Sequence, residues 1–314
     1  MGLFNNERGP IFLKEDTSAE RELVELKALL PRVCDDDRTR LERDIRIAQA
    51  GIRGEDQVTF ELKNSHLPIY MIHDLRLEFE GLSTQIDFLV ICPYVNVIIE
   101  CKNLLGNITV DDKGQFVREF GTGRFRKRES IYSPITQNER HLQLMRQIRA
   151  SEKGTVGRLA YELCFDDINK SVVVLANDET VLSDRYAKRE VKDKIIRRDA
   201  LIGRLQQLNA EGKKKNSKAS DKDMQQIGQI WLDHHVERTR DVTAGYELRD
   251  EVPQASVATT APVPSTSADT GVPLCPICGA PMMRRVAHRG PREGLPFWGC
   301  SNYPTCHGIV NIDG

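Results

Sequence analysis

The sequence predicts an α/β fold, a central mixed β-sheet flanked by helices, followed by a small four-cysteine metal module. Three observations carry this. Helical spacing of apolar residues occupies 18–30 and 35–64, and β-branched and aromatic runs separated by turn signals follow from residue 70. Four cysteines then crowd the last 40 of the 314 residues.

The first helical stretch is "AERELVELKALL". The second is entered through Asp35, Asp36 and Asp37, which suit a helix start and its first turn, where acids meet the positive end of the helix dipole. A metal cluster is the competing reading of the three acids. The runs "YMIHDLRLEF", "TQIDFLVIC" and "VNVIIECKN" then read as a meander of strands, with "PYVN" as a tight connection. "GNITVDDKGQFVREFGTGRFRKRES" continues as strand and hairpin, and "SPITQNERHLQLMRQIRA" starts a helix with Ser133 as N-cap and Pro134 at its first position. "SVVVLAND" is a later strand, with helices near 198–209 and 222–237 behind it. From 248 to 272 Pro, Ala, Ser, Thr and Val show no apolar periodicity, as in a flexible linker. The expected organisation is a helical region at 1–47, an α/β domain at 48–247, the linker at 248–272 and the metal module at 273–314.

With 45 basic and 46 acidic residues, any affinity for nucleic acid must come from local clusters. The longest apolar runs fall far short of the roughly 20 residues a membrane helix needs. The N-terminal "MGLFNNERGPIFLKED" has no apolar core with a small-residue cleavage site, so a cytoplasmic protein without membrane partners is expected.

"VIIECKN" raises the chemical question. Strand side chains alternate, so Glu100 and Lys102 project to one side and Cys101 to the other. An antiparallel neighbour joined by the short connection would bring Asp87 opposite the Glu100 end. Two carboxylates side by side call for a cation, and oxygen ligands favour Mg²⁺ or Mn²⁺. A lysine beside them can orient or deprotonate a water and stabilise charge on a phosphoryl group, which suits phosphodiester hydrolysis. A solvated sheet margin would carry the same three residues. Glu55, on the helix before the sheet, offers a third acid, and Gln137, one turn into the following helix, offers an amide; each alone reads equally well as solvated.

Taken in order, G-x-x-G-E, Q-I-D, I-E-C-K-N and S-P-x-x-Q-N over about 48–160 resemble the nuclease-related domain, NERD, of the PD-(D/E)xK restriction-endonuclease-like superfamily. The resemblance implies a mixed sheet flanked by helices and a metal-dependent DNA-cleaving site. It would make Asp87 and Glu100 metal ligands, Lys102 the catalytic lysine, Glu55 an accessory acid and Gln137 the glutamine of the helix. Ser133 stands where the family has asparagine, a cap-for-cap exchange. Arg124, Arg126, Lys127 and Arg128, interleaved with phenylalanines, are placed to hold DNA phosphates, or form a charged hairpin tip over buried aromatics.

In the tail, Cys275-x2-Cys278 and Cys300-x5-Cys306 flank a 21-residue span. The first pair allows a tight turn that brings two thiolates to one tetrahedral Zn²⁺, and the second completes the shell without His288 or His307. Zinc would supply much of the folding free energy of so small a module; a disulfide is the weaker alternative in a cytoplasmic protein. The string C-P-x-C-G-x-P-M with F-W-G-C-S-N-Y-P-x-C is similar to the C-terminal zinc ribbons of type IA topoisomerases, which implies contacts with single-stranded DNA or protein. Arg284, Arg285, Arg289 and Arg292 supply positive charge, and Phe297, Trp298 and Tyr303 supply faces for stacking bases, with Phe297 or Trp298 expected in the module's own core. The combined expectation is a DNA-processing enzyme with a DNA-binding ribbon; a non-catalytic binding or docking factor is the alternative.

Overall fold

The computed structural model describes residues 9–121, 123–249, 273, 275, 281–286, 295–301 and 309–311. The linker from 250 onward, together with Cys278, His288, Arg289, Arg292, Tyr303, Cys306 and His307, lies outside the described residues. The chain divides into two compact units, Met1–Val252 and Pro253–Gly314.

The first unit opens with β1 (Ile11–Lys14), α1 (Ser18–Leu29) and α2 (Asp35–Lys63). The three aspartates occupy the first turn of α2, with Cys34 at the N-cap. β2 (Tyr70–Phe79), β3 (Leu82–Ile91) and β4 (Asn96–Lys102) form the meander. A second sheet follows from β5 (Asn107–Val110), β6 (Phe116–Phe120) and β7 (Lys127–Ile131), then α3 (Pro134–Ser151), α4 (Thr155–Ile168) and β8 (Asn169–Leu175). β9 (Leu182–Ser183), α5 (Arg189–Lys192), β10 (Ile195–Arg197), α6 (Leu201–Gly212) and α7 (Asp221–Asp233) complete the unit.

The central sheet runs β1-β2-β3-β4-β8-β10. The meander pairs are antiparallel, whereas β1–β2, β4–β8 and β8–β10 are parallel, so the sheet is mixed as expected. Its middle strands are buried on both faces, which is why "VNVII" and "SVVVL" read as continuous apolar runs. One face packs Phe88, Val97, Ile99, Val172 and Val174 against Val58 and Leu62 of α2 and Leu205 of α6. The other packs Leu89, Ile98 and neighbours against Leu144 and Met145 of α3, Phe165 of α4 and Trp231 of α7. The boundary expected at 47/48 falls inside α2, and β1 is the edge strand of the central sheet, so the N-terminal segment is not a separate helical region. Among the described residues no helix is long and apolar enough to cross a membrane.

The second sheet, ordered β7-β6-β5-β9, leaves the main sheet at the carboxyl end of β4. Ile108, Val110 and Phe116 pack there against Ile135 of α3 and Val173 and Leu175 of β8. The basic hairpin is therefore anchored beside the ends of the two central parallel strands.

The second unit contains an antiparallel sheet of β11 (Met282–Val286), β12 (Pro296–Cys300) and β13 (Ile309–Asn311). Met282 stands opposite Cys300, and both pack with Cys275 in a buried cluster joined by Trp298.

Candidate active site at the end of the central sheet

The β3–β4 ladder pairs Ile91 with Asn96 and ends at Phe88–Ile99, so the next step along both strands is Asp87 and Glu100. Beyond the last pair, Asp87 Oδ2 accepts the backbone N–H of Cys101 at 2.7 Å. On its other side β3 meets β2, and that ladder skips one step, between His73–Phe88 and Leu75–Ile86, where Asp74 and Asp87 stand. Asp74 has φ +55°, a left-handed conformation that interrupts the alternation of the strand. Ile72 and Leu75 consequently pack in the same cluster, as do Ile86 and Leu89.

The interruption is itself held. Asp74 is buried, and its two carboxylate oxygens accept from the backbone N–H of Ser18 and from Gln85 Nε2, both at 2.5 Å. Burial pushes the Asp74 carboxyl up, but the bonds from Ser18 at the start of α1 and the nearby Lys14 ammonium outweigh it and hold the group below its usual range.

Glu100 is 2% exposed and engaged at both oxygens. Oε1 accepts from Lys102 Nζ at 2.5 Å, and Oε2 lies 3.3 Å from His141 Nε2. Lys102 Nζ also donates to Gln137 Oε1 at 3.2 Å. Ser133 caps α3 by accepting the Thr136 backbone N–H at 3.3 Å, which fixes the turn from which Gln137 reaches the lysine. Asp87, Glu100, Lys102 and Gln137 are thus joined or adjacent.

The electrostatics follow from this crowding. Burial, then the charges of Glu100 and Glu55, push the Asp87 carboxyl well above the usual carboxylate range. Burial alone would lower Lys102, but Glu100 more than offsets it, and the ammonium is held above its ordinary value. Cys101 faces the opposite way, into the cluster beneath α2, and burial together with Asp87 pushes its thiol up.

Glu55 is on the α2 side of the sheet and meets none of these groups directly. Its Oε2 lies 2.9 Å from His73 Nε2, and the His73 ring stacks on Phe88 at 4.2 Å. It opens into a cavity of about 210 Å³ shared with Glu15, Asp16, Glu20 and Asp56. The glycine before it has a steric cause. A Cβ on Gly54 would lie 2.6 Å from Asn103 Cβ, and Asn103 Nδ2 donates to Ala50 O at 2.6 Å, so the end of β4 rests directly on the α2 backbone.

His141 is the member that the sequence reading misses. It is buried on α3, with Nδ1 bonded to Thr84 Oγ1 and Nε2 on Glu100. In the neutral tautomer whose Nε2–H donates to the Glu100 carboxylate, Nδ1 accepts from the Thr84 hydroxyl; in the protonated ring both nitrogens donate. Its spacing from Gln137, four residues on one helix face, is the signal that could have pointed to it.

On the hairpin Arg124, Arg126, Lys127 and Arg128 are all exposed. Arg126 pairs with Glu119, whereas the other three make no ion pair among the described residues. The expected layer of buried aromatics holds only for Phe116; Phe120 is half-buried and Phe125 exposed. In the second unit Arg284 stands opposite Trp298 and Arg285 opposite Phe297. Trp298 packs on the cysteine cluster, while a Cβ at Gly299 would meet Arg285 at 3.1 Å and the Phe297 ring at 3.4 Å. The two rings occupy opposite faces and both are half-buried, and Trp298 is the one that joins the core of the module. Cys275 and Cys300 are buried together. Among the described residues no group of three or more His, Cys, Asp or Glu is arranged to hold a metal ion.

A mixed sheet flanked by helices, with two acids and a lysine at its strand ends, defines a nuclease-like α/β domain. The family model of the nuclease-related domain, NERD, matches residues 50–176, from the middle of α2 to the residue after β8. Neither a curated protein nor a solved structure matches the chain.

Proposed function

We propose that this protein is a metal-dependent nuclease that hydrolyses DNA phosphodiester bonds, with Mg²⁺ or Mn²⁺ held by Asp87 and Glu100. The observation that carries the reading is the junction of Asp87, Glu100, Lys102 and Gln137 at one strand end. Buried Glu100 beside half-buried Asp87, whose carboxyl is pushed well above the usual carboxylate range by desolvation and by the Glu100 charge, suits a hard divalent cation, and Mg²⁺ commonly takes only one or two carboxylates, with water and substrate phosphate as its other ligands. Bound there, the ion would polarise a phosphoryl oxygen and acidify a water.

The side chains would do the rest. Lys102, held cationic by Glu100, is suited to orienting the attacking water and stabilising negative charge on the phosphoryl oxygens, not to removing a proton at neutral pH. Gln137 would steer the ammonium, and His141 would hold the second oxygen of Glu100. Glu55 adds negative charge to the site through Asp87 as an accessory acid. Arg124, Arg126, Lys127 and Arg128 would hold backbone phosphates.

Cys275, Cys278, Cys300 and Cys306 would bind Zn²⁺ and form a ribbon that captures DNA, single-stranded or frayed, through Arg284, Arg285 and Trp298. Tethering would raise the local concentration of DNA at the cleaving site. A cytoplasmic setting fits both parts.

The test is incubation with labelled single- and double-stranded DNA in Mg²⁺, Mn²⁺ or EDTA, beside Lys102→Ala. Metal-dependent cleavage that disappears in the variant supports the proposal. One observation favours a binding or docking factor with a nuclease-like scaffold: both Glu100 oxygens are already engaged by Lys102 and His141. Binding without cleavage in every condition would establish that second reading.

A further inference from the structure

We infer that the second sheet carries a base-stacking track for an unpaired nucleic-acid strand, running along β7 from Phe125 to Tyr132. The inference rests on the nucleic-acid reading above and adds which form of the polymer the first unit grips.

Large aromatics of the first unit are mostly withdrawn from solvent, with Phe88, Phe116 and Phe165 fully buried. Phe60, Phe125, Tyr132 and Tyr186 depart from this, and of these Phe125 and Tyr132, at 69% and 54% exposure, flank β7. Each carries an arginine on its ring: the Arg124 guanidinium lies 5.0 Å from the Phe125 centroid, and that of Arg140 lies 5.3 Å from the Tyr132 centroid. One guanidinium covers one face of a ring and leaves the other for a planar partner.

The tip that presents Phe125 is confined. Gly121 has φ +83°, and a Cβ there would lie 2.4 Å from the Phe125 carbonyl oxygen, so the turn closes tightly on itself. The exposed ring is held out by a built turn.

The two rings stand at opposite ends of β7, roughly 20 Å apart at about 3.3 Å per strand residue. Exposed Lys127 and Arg128 lie between them without an ion pair among the described residues. Aromatic, cations, aromatic is a sequence of contacts that suits base, phosphates, base. Tyr132 immediately precedes the Ser133 cap, and Gln137 one turn later touches Lys102, so the track ends beside the candidate site. Within a duplex the base faces are occupied by their neighbours, so stacking on protein rings selects unpaired bases.

The test is fluorescence anisotropy of labelled oligo(dT) and of a blunt duplex against the full chain, with no divalent metal added so that cleavage does not intervene. It is paired with 5-iodouracil photo-crosslinking read by mass spectrometry. Phe125→Ala and Tyr132→Ala should each weaken oligo(dT) binding roughly ten-fold. Duplex binding should be unchanged, Phe125→Trp should restore the loss, and crosslinks should fall on Phe125 or Tyr132. Unchanged oligo(dT) binding in both alanine variants, equal losses on the duplex, or crosslinks confined to 273–314 would overturn the inference. Stacking without metal-dependent cleavage would retain it and remove the nuclease reading; cleavage with undisturbed oligo(dT) binding in the alanine variants would do the reverse.

Discussion

Asp87 and Cys101 are joined across β3 and β4: a carboxylate oxygen of Asp87 accepts the Cys101 backbone N–H at 2.7 Å, just beyond the last pair of their ladder. The bond holds the acid at the level of Glu100, where burial and its neighbours' charge oppose its ionisation. The closure of the sheet therefore keeps together two groups that repel.

The first prediction follows from that opposition. A carboxyl whose folded pKa lies above its unfolded value withdraws stability as pH rises from the unfolded value, near 4, towards the folded one. The metal-free protein should lose stability over that range, and Asp87→Asn should lessen the loss while its amide oxygen still accepts the Cys101 N–H. At neutral pH the variant should be more stable by about 1 kcal/mol in urea, the scale of gains seen when functional strain is removed. Added Mg²⁺ should raise the melting temperature of the wild type and not of Asp87→Asn. A destabilised variant, or equal shifts with Mg²⁺, would refute the account.

His141 yields the second. Removing it leaves a buried Glu100 oxygen without its partner, so His141→Ala should cost about 1–3 kcal/mol. Partners that orient a metal ligand typically govern ten- to hundred-fold in activity, and cleavage should fall by about that factor. Thr84→Val, which removes only the bond to Nδ1, should lose less in both measurements. Urea melts and single-turnover cleavage distinguish this from a purely structural histidine, whose loss would change stability alone.

The third concerns the contact of α2 with β4. Gly54→Ala would force a methyl to 2.6 Å from Asn103 Cβ, an atom fixed to the backbone. Overpacking of this kind costs about 1–3 kcal/mol. Gly51→Ala, with nothing within 4 Å, should leave thermal stability the same or slightly higher. Equal melting temperatures for the two variants would remove the steric explanation of Gly54.

These residues also mark how far the sequence reaches. Glu100 and Lys102 share a side because strands alternate, and the short connection carries Asp87 to the matching level; both were legible from period and length. The split of the site across the sheet was not. Glu55 precedes a strand, but only the packing of α2 puts it with His73 and away from Gln137. His141 sits among Leu144, Met145 and Ile148, where the apolar spacing reads as core and hides a polar contact. β1 is four residues, too short for periodicity to separate from a loop. The left-handed Asp74 that shifts the sheet's alternation is set by tertiary bonds to Ser18 and Gln85, which no local pattern encodes.

The last prediction separates charge from stacking on the hairpin. Arg124, Lys127 and Arg128 have no acidic partner among the described residues, so phosphates would not have to displace one. Each phosphate neutralised releases counterions, with a slope of log affinity against log salt near −0.7 per contact for a single strand. Replacing Lys127 and Arg128 with glutamine should therefore flatten that slope for oligo(dT) by about 1.4. Arg126→Gln should change it less, because Arg126 already pairs with Glu119. Phe125→Ala should lower affinity at every salt concentration and leave the slope intact, since a ring releases no counterions. A salt titration of all three variants reads the two contributions separately, and a slope unchanged by loss of Lys127 and Arg128 would remove the hairpin from the nucleic-acid interface.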